Sequence, residues 1–208
     1  MKKYKRIISM VVAVVLCLGV TACSKEKDFD AKGYVQSAMD AIYHGEYAAY
    51  AKFLDISEEE AKKQEEEDFQ EIMSQQFSEE DGMTEEGIAA YTEKMHQAYK
   101  LAKYEVLEAK KAEDGSYIVK VKAEPADVFQ TLEESSTEVS NEKIAQELDP
   151  ADPEVFASVL MDSIQRSIDK NTYGEAVTVE VRVTKDDSGA YILDETEMNK
   201  LEDALFLE

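Results

Sequence analysis

Few side chains in this chain of 208 residues have both the type and the spacing for catalysis. The two histidines, His44 and His96, fall in separate stretches of helical periodicity. There is no His-x-x-x-His pair, no phosphate-cradling glycine loop and no Gly-x-Ser-x-Gly elbow. His44 precedes Gly45, a residue suited to a helix end, where an imidazole meets the negative end of the helix dipole. His96 reads as a surface helix residue. The runs Glu58-Glu59-Glu60 and Glu65-Glu66-Glu67-Asp68 could gather cations, but they lack the alternating oxygen ligands and central glycine of a calcium loop. A solvated helix face explains them more simply, and a hairpin turn explains Asp186-Asp187-Ser188-Gly189. The expectation is a protein that is not an enzyme and has neither a metal nor another cofactor.

Tyrosine is the one residue type that suggests recognition. Of the 11, Tyr34, Tyr43, Tyr47, Tyr50, Tyr91, Tyr99 and Tyr104 lie in the first half of the chain, where rings with hydroxyl tips could line a cleft. Tyr47, Tyr50, Tyr99 and Tyr104, placed by the periodicity near a helix–sheet junction, are the candidate binding residues. Core and rim packing in a domain without tryptophan is the alternative.

The two cysteines belong to a different kind of chemistry. Lys2, Lys3, Lys5 and Arg6 precede an apolar run from Ile7 to Val20, which ends in Val20-Thr21-Ala22-Cys23. The run is too short for a membrane span, which needs roughly 20 apolar residues, and fits a secretory signal at 1–22. Small residues followed by cysteine resemble the lipobox of bacterial membrane lipoproteins. That resemblance implies that a diacylglyceryl lipid, with palmitate-type chains, is attached to the Cys23 thiol and that cleavage makes this residue the new N-terminus. Cys17 follows the bulky Leu16 inside the apolar run and fits the pattern poorly.

The resemblance implies a protein on the extracytoplasmic face of a cell membrane with no free thiol, which would exclude disulfides within the chain, thiol catalysis and cysteine-held zinc. Removing residues 1–22 takes away four bases and no acid, leaving 19 Lys+Arg against 46 Asp+Glu, a net charge of −27. So acidic a body repels nucleic acid and anionic headgroups, and the lipid must do the holding.

Residues 23–30 read as the lipidated cysteine and a short linker, and 31–208 as a single α+β domain. Tyr34, Val35, Ala38, Met39 and Ile42 recur at helical spacing, as do Tyr47, Tyr50, Ala51 and Leu54. Ser57 begins a third helix with Ala61, Phe69, Ile72, Met73 and Phe77 inward, and Thr84 a fourth with Ile88, Tyr91, Met95, Tyr99 and Ala102 inward. From Tyr104 the period falls to two, and Asp114-Gly115 separates two alternating runs as in a hairpin. Thr131–Asn141 reads as a loop, with a short helix over Glu142–Leu148. Asp152-Pro153 opens a long central helix, Val177–Thr184 and Ala190–Leu193 form a second hairpin, and Asp194 caps a terminal helix.

Grouped strands and helices predict an antiparallel sheet of two hairpins, about four strands, covered by helices. This order resembles the cystatin-like and nuclear-transport-factor-like architectures, which often enclose a pocket between helix and sheet. In general plan it also resembles small surface lipoproteins of Gram-positive bacteria. The function expected is a non-catalytic binding module for a small ligand or an envelope protein. A carboxylate-based envelope hydrolase and a structural or stress-related spacer are the alternatives.

Overall fold

A computed structural model describes residues 29–77, 83–187 and 189–207. The lipidation motif at Cys17 and Cys23, and the Asp81-Gly82 break, lie outside the described residues. Helix α1 (Ala31–Met39) runs into a π-helical turn (Asp40–His44), followed by α2 (Ala48–Leu54), α3 (Glu58–Ser74) and α4 (Glu85–Tyr99). Strands β1 (Lys103–Lys111) and β2 (Tyr117–Glu124) form a hairpin, α5 (Leu132–Ala145) and α6 (Pro153–Lys170) a helical pair, and β3 (Val177–Lys185) and β4 (Tyr191–Leu193) a second hairpin before α7 (Glu195–Leu205). The sheet is antiparallel in the order β1-β2-β3-β4, which makes the chain α+β as the patterning predicts.

The helix starts are where short polar side chains can accept from orphan peptide N–H groups. Ser57 accepts from Glu60 N (3.1 Å), Thr84 from Gly87 N (3.0 Å), Asp152 from Glu154 N (3.0 Å) and Asp194 from Glu197 N (3.0 Å). Period-two alternation buries Tyr117, Val119, Val121, Ala123, Val181 and Val183 beneath α1 and α7. The opposite face carries charge, with Lys120 3.0 Å from Glu108 and Arg182 2.9 Å from Asp114.

Three local outcomes differ from the periodicity. The π turn inserts an extra residue, so the inward position passes from Ile42, which is half-buried, to Tyr43, which is fully buried. Phe29, in the stretch read as linker, is docked: its ring stacks on Tyr191 at 4.0 Å and meets Tyr34, Phe53 and Tyr117, while Asp30 caps α1 through Gly33 N. The expected loop at Thr131–Asn141 is instead part of one continuous helix, α5.

Helix α5 has no broad apolar stripe and is held by its neighbour. Ser135 and Val139 pack close against Ser163 and Ser167 of α6, and Ser167 Oγ donates to Ser135 Oγ at 3.0 Å. Arg166 forks onto Glu142 (2.9 and 2.7 Å) and reaches Glu138 (3.2 Å), while Lys143 meets Asp162 at 2.8 Å. The helix closes with Leu148 N–H on Lys143 O and Glu147 N–H on Ile144 O, with Glu147 left-handed at φ 63°, a Schellman end without the usual glycine.

Candidate functional site

The strand register sorts the molecule into two ends. Lys111 faces Tyr117, Tyr117 faces Val183, and Lys185 faces Tyr191, so both hairpin turns lie at one end, where Phe29 also packs. Lys103 faces Glu124 and Ala123 faces Val177, so the start of β1 and the start of β3 share the other end. Seven residue steps of strand, Tyr104 to Lys111, separate the two by roughly 23 Å.

At the second end the π turn meets β1. Gln36, Asp40 and His44 follow at four-residue intervals, so one helical face presents an amide, a carboxylate and an imidazole together. Gln36 Nε2 donates to Asp40 Oδ1 at 2.8 Å, and the Tyr104 hydroxyl donates to the same oxygen at 2.7 Å. His44 Nδ1 lies 3.3 Å from that hydroxyl and 3.9 Å from Asp40 Oδ1, and its ring stacks on Tyr104 at 5.1 Å. His44 Nε2 donates to Ala102 O at 3.0 Å, which fixes the proton on Nε2 in the neutral ring and leaves Nδ1 an acceptor. Burial and the Asp40 carboxylate push the Tyr104 phenol well above its usual range, so it stays a neutral donor.

The side chains of His44 and Asp40 keep 34% and 21% of their accessible surface, so the cluster is open to solvent at its rim. Among the described residues every partner of the Asp40 carboxylate approaches Oδ1, which leaves Oδ2 free to accept from a ligand. Beneath it lies an aromatic floor: Tyr43 meets Tyr99 at 6.4 Å, Tyr104 at 6.2 Å and Phe206 at 6.0 Å, and Phe129 closes against Tyr99 and Phe206. Tyr43 Oη is buried without a hydrogen-bond partner, as are Asn171 Oδ1 and His96 Nε2. A buried hydroxyl in that state is costly. Tyr173 flanks the same end, its hydroxyl donating to Leu101 O at 3.0 Å and its ring under Lys103.

The four tyrosines named from the sequence fall into two groups. Tyr99 and Tyr104 both pack on Tyr43, with Tyr99 buried and Tyr104 half-buried at the rim. Tyr47 and Tyr50 are buried on the α3 side, where Tyr47 Oη donates to Glu65 Oε2 at 2.7 Å. Glu65 shares the inward stripe of Ala61, Phe69 and Met73, and burial pushes its carboxyl up to about 7 against the opposing pull of the Tyr47 hydroxyl. His96 packs its ring on Phe69 at 3.9 Å, and burial lowers its pKa, so it is a packed residue and not a surface one. Asp40, Gln36 and Glu65 were absent from the sequence-derived site, although the four-residue repeat of Gln36, Asp40 and His44 was a legible signal. Among the described residues no three of His, Cys, Asp and Glu gather to hold a metal ion.

No protein-family model matches the chain, and no curated protein sequence matches it. The fold is similar to that in the crystal structure of the putative lipoprotein YcdA of Bacillus subtilis, with a TM-score of 0.58, 16% identity and 86% of this chain covered. The match spans 56% of the Bacillus chain, little more than half its length. Among the described residues no helix is long and apolar enough to cross a membrane.

Proposed function

We propose that this chain is a lipoprotein held by Cys23 on the extracytoplasmic face of a cell membrane, and that its domain binds, without chemistry, a small ligand carrying a hydrogen-bond donor at Asp40, His44 and Tyr104. The basic head, apolar run and Ala22-Cys23 ending support the anchor. The likeness of the fold to a putative lipoprotein is in keeping with it. The binding reading rests on one observation: three side chains crowd a single oxygen of a rim-exposed Asp40 and leave the other open above an aromatic floor. An amine or hydroxylated compound could donate to Oδ2 while its carbon frame lies on the Tyr104 and His44 rings.

Cys23 to Phe29 is six residue steps, at most ~22 Å of chain. In this reading the hairpin-turn end, where Phe29 docks, faces the bilayer and the cluster faces away.

The test is native mass spectrometry of the protein extracted from membranes in detergent, beside Asp40→Asn and Tyr104→Phe. A small bound mass on the wild type that both variants lose while still melting cooperatively is the expected result. A mass kept by both variants, or none on the wild type after incubation with envelope extract, would refute the binding reading. Labelling with palmitate tests the anchor separately: Cys17→Ala should keep the label and Cys23→Ala should lose it.

A further inference from the structure

A second surface at the same end of the sheet has unsatisfied backbone, and it lies on β3. Strand β4 pairs with Val183–Lys185 and ends there, although β3 begins at Val177. The chain is extended alongside β2 even earlier, because Tyr173 bridges Ala126 and Gly174 N–H donates to Pro125 O at 2.8 Å. An extra residue among 174–176 shifts the phase before the regular ladder starts at Val177, so it is from Val177 to Glu180 that one side of the strand is paired and the other is not.

The phase of the ladder identifies the open groups. Arg182 N–H donates outward, away from β2, to Glu197 Oε2 of α7 at 2.9 Å, so that carboxylate takes over as acceptor where β4 stops. Successive peptide groups alternate sides in an antiparallel ladder, so Thr178 and Glu180 also present N–H and C=O at the edge, and no described group meets them there. Tyr173, Ala176, Val177, Thr178 and Glu180 are exposed, and Val179 is half-buried. Tyr173 and Val177, at 42% and 40% exposure, are two of the four large apolar side chains exposed among the described residues. An unpaired edge with apolar side chains is a template for another strand, and natural sheets usually blunt such edges with lysine, proline or a bulge. Residues 177–181 contain no lysine or proline, and their register with β2 is unbroken.

We propose that the β3 edge from Val177 to Glu180 docks an extended basic segment of another protein, which adds to the sheet as a fifth strand beyond β3. Charge selects this occupant. The charged side chains of residues 172–181 are Glu175 and Glu180, with no base among them, and Glu180 is only loosely paired with Lys120 at 4.0 Å. The whole chain carries −23, so a lysine-rich strand is steered toward it and a second acidic copy is repelled. Backbone bonds to Thr178 and Glu180 would supply register, and Val177 and Val179 the apolar contacts for alternate side chains of the incoming strand. This goes beyond the small-ligand reading and does not depend on it.

The test is fluorescence anisotropy with the full-length protein in detergent, using a labelled peptide that alternates valine with lysine and a control that alternates valine with glutamate. The lysine peptide should bind and the glutamate peptide should not. Thr178→Pro removes an edge donor without touching the β2 ladder or the net charge, so it should weaken binding about tenfold while leaving thermal unfolding cooperative. Glu180→Lys should cut lysine-peptide binding by a similar factor, and Tyr104→Phe should have no effect. Equal binding of both peptides refutes the proposal, as does undiminished binding by a folded Thr178→Pro. Should Thr178→Pro fail to fold, an unchanged affinity in Glu180→Lys refutes it. A wild-type dimer that Thr178→Pro dissolves would assign the edge to a second copy and overturn it too.

Discussion

Replacing Glu65 by glutamine should flatten the dependence of stability on pH. The carboxyl is buried on α3, accepts from Tyr47 Oη at 2.7 Å, and shares its surroundings with Glu66, Asp68 and the Tyr50 ring of α2. Burial raises it from 4.5 to about 7, the Tyr47 hydroxyl working the other way and Glu66 and Asp68 adding to the rise. A carboxyl with a raised folded-state pKa keeps its proton longer in the native chain than in the unfolded one. There is thus no penalty below about pH 4.5; it grows as pH rises and is complete above about 7. At 1.36 kcal/mol per unit, the native state loses roughly 3 kcal/mol across that window. For a domain of this size that is about 6–12 °C in Tm. Glutamine can still accept from Tyr47 but does not titrate. Urea unfolding at pH 5, 6, 7 and 8 should show the wild type weakening through the window and Glu65→Gln nearly level. A constant offset between the two curves is immaterial, since the slope is the readout. Parallel curves would refute the account of Glu65 as a desolvated acid and assign any slope to the other carboxylates.

Phe29→Ala should cost about 2 kcal/mol in urea unfolding, less than a fully buried phenylalanine because the ring is half-buried among Tyr34, Phe53, Tyr117 and Tyr191; no loss would mean that this contact contributes nothing in solution. Arg166→Ala should selectively loosen α5, read as faster amide hydrogen exchange over Leu132–Ala145 with little change in the sheet, since the arginine ties Glu138 and Glu142 to α6. Moderate salt should raise Tm by screening the excess of 46 acids over 23 bases, and a midpoint indifferent to salt would count against self-repulsion.

Patterns with a local cause were legible in the sequence. Ser57, Thr84, Asp152 and Asp194 cap the helices they were expected to cap, because a cap needs only a short polar side chain and the next few peptide groups. Alternation from Val177 to Thr184 yielded β3 for the same reason. Helix α5 escaped because its stabilising partners are Asp162, Arg166 and the small faces of Ser163 and Ser167, all on another helix, and because its left-handed end uses Glu147 where glycine would have been a signal. Phe29 looked like linker because a single aromatic residue has no period. The tyrosines were counted correctly as rings, but which hydroxyl reaches solvent depends on the π turn that buries Tyr43 and leaves Tyr104 at the rim.

The placement of the open groups follows from the same register. In the lipoprotein reading, Phe29 holds the hairpin-turn end within ~22 Å of the anchored cysteine. Asp40, Tyr104 and the free edge of β3 stand roughly 23 Å further along the sheet. With residues 1–22 removed, a net charge of −27 would repel an anionic headgroup layer, and a short tether would turn that repulsion into orientation, the body pivoting outward about its fixed end instead of lying down. A donor-bearing ligand at Asp40 and a basic strand on β3 would then approach from the side away from the bilayer, where the chain's negative potential attracts cations without competition from lipid.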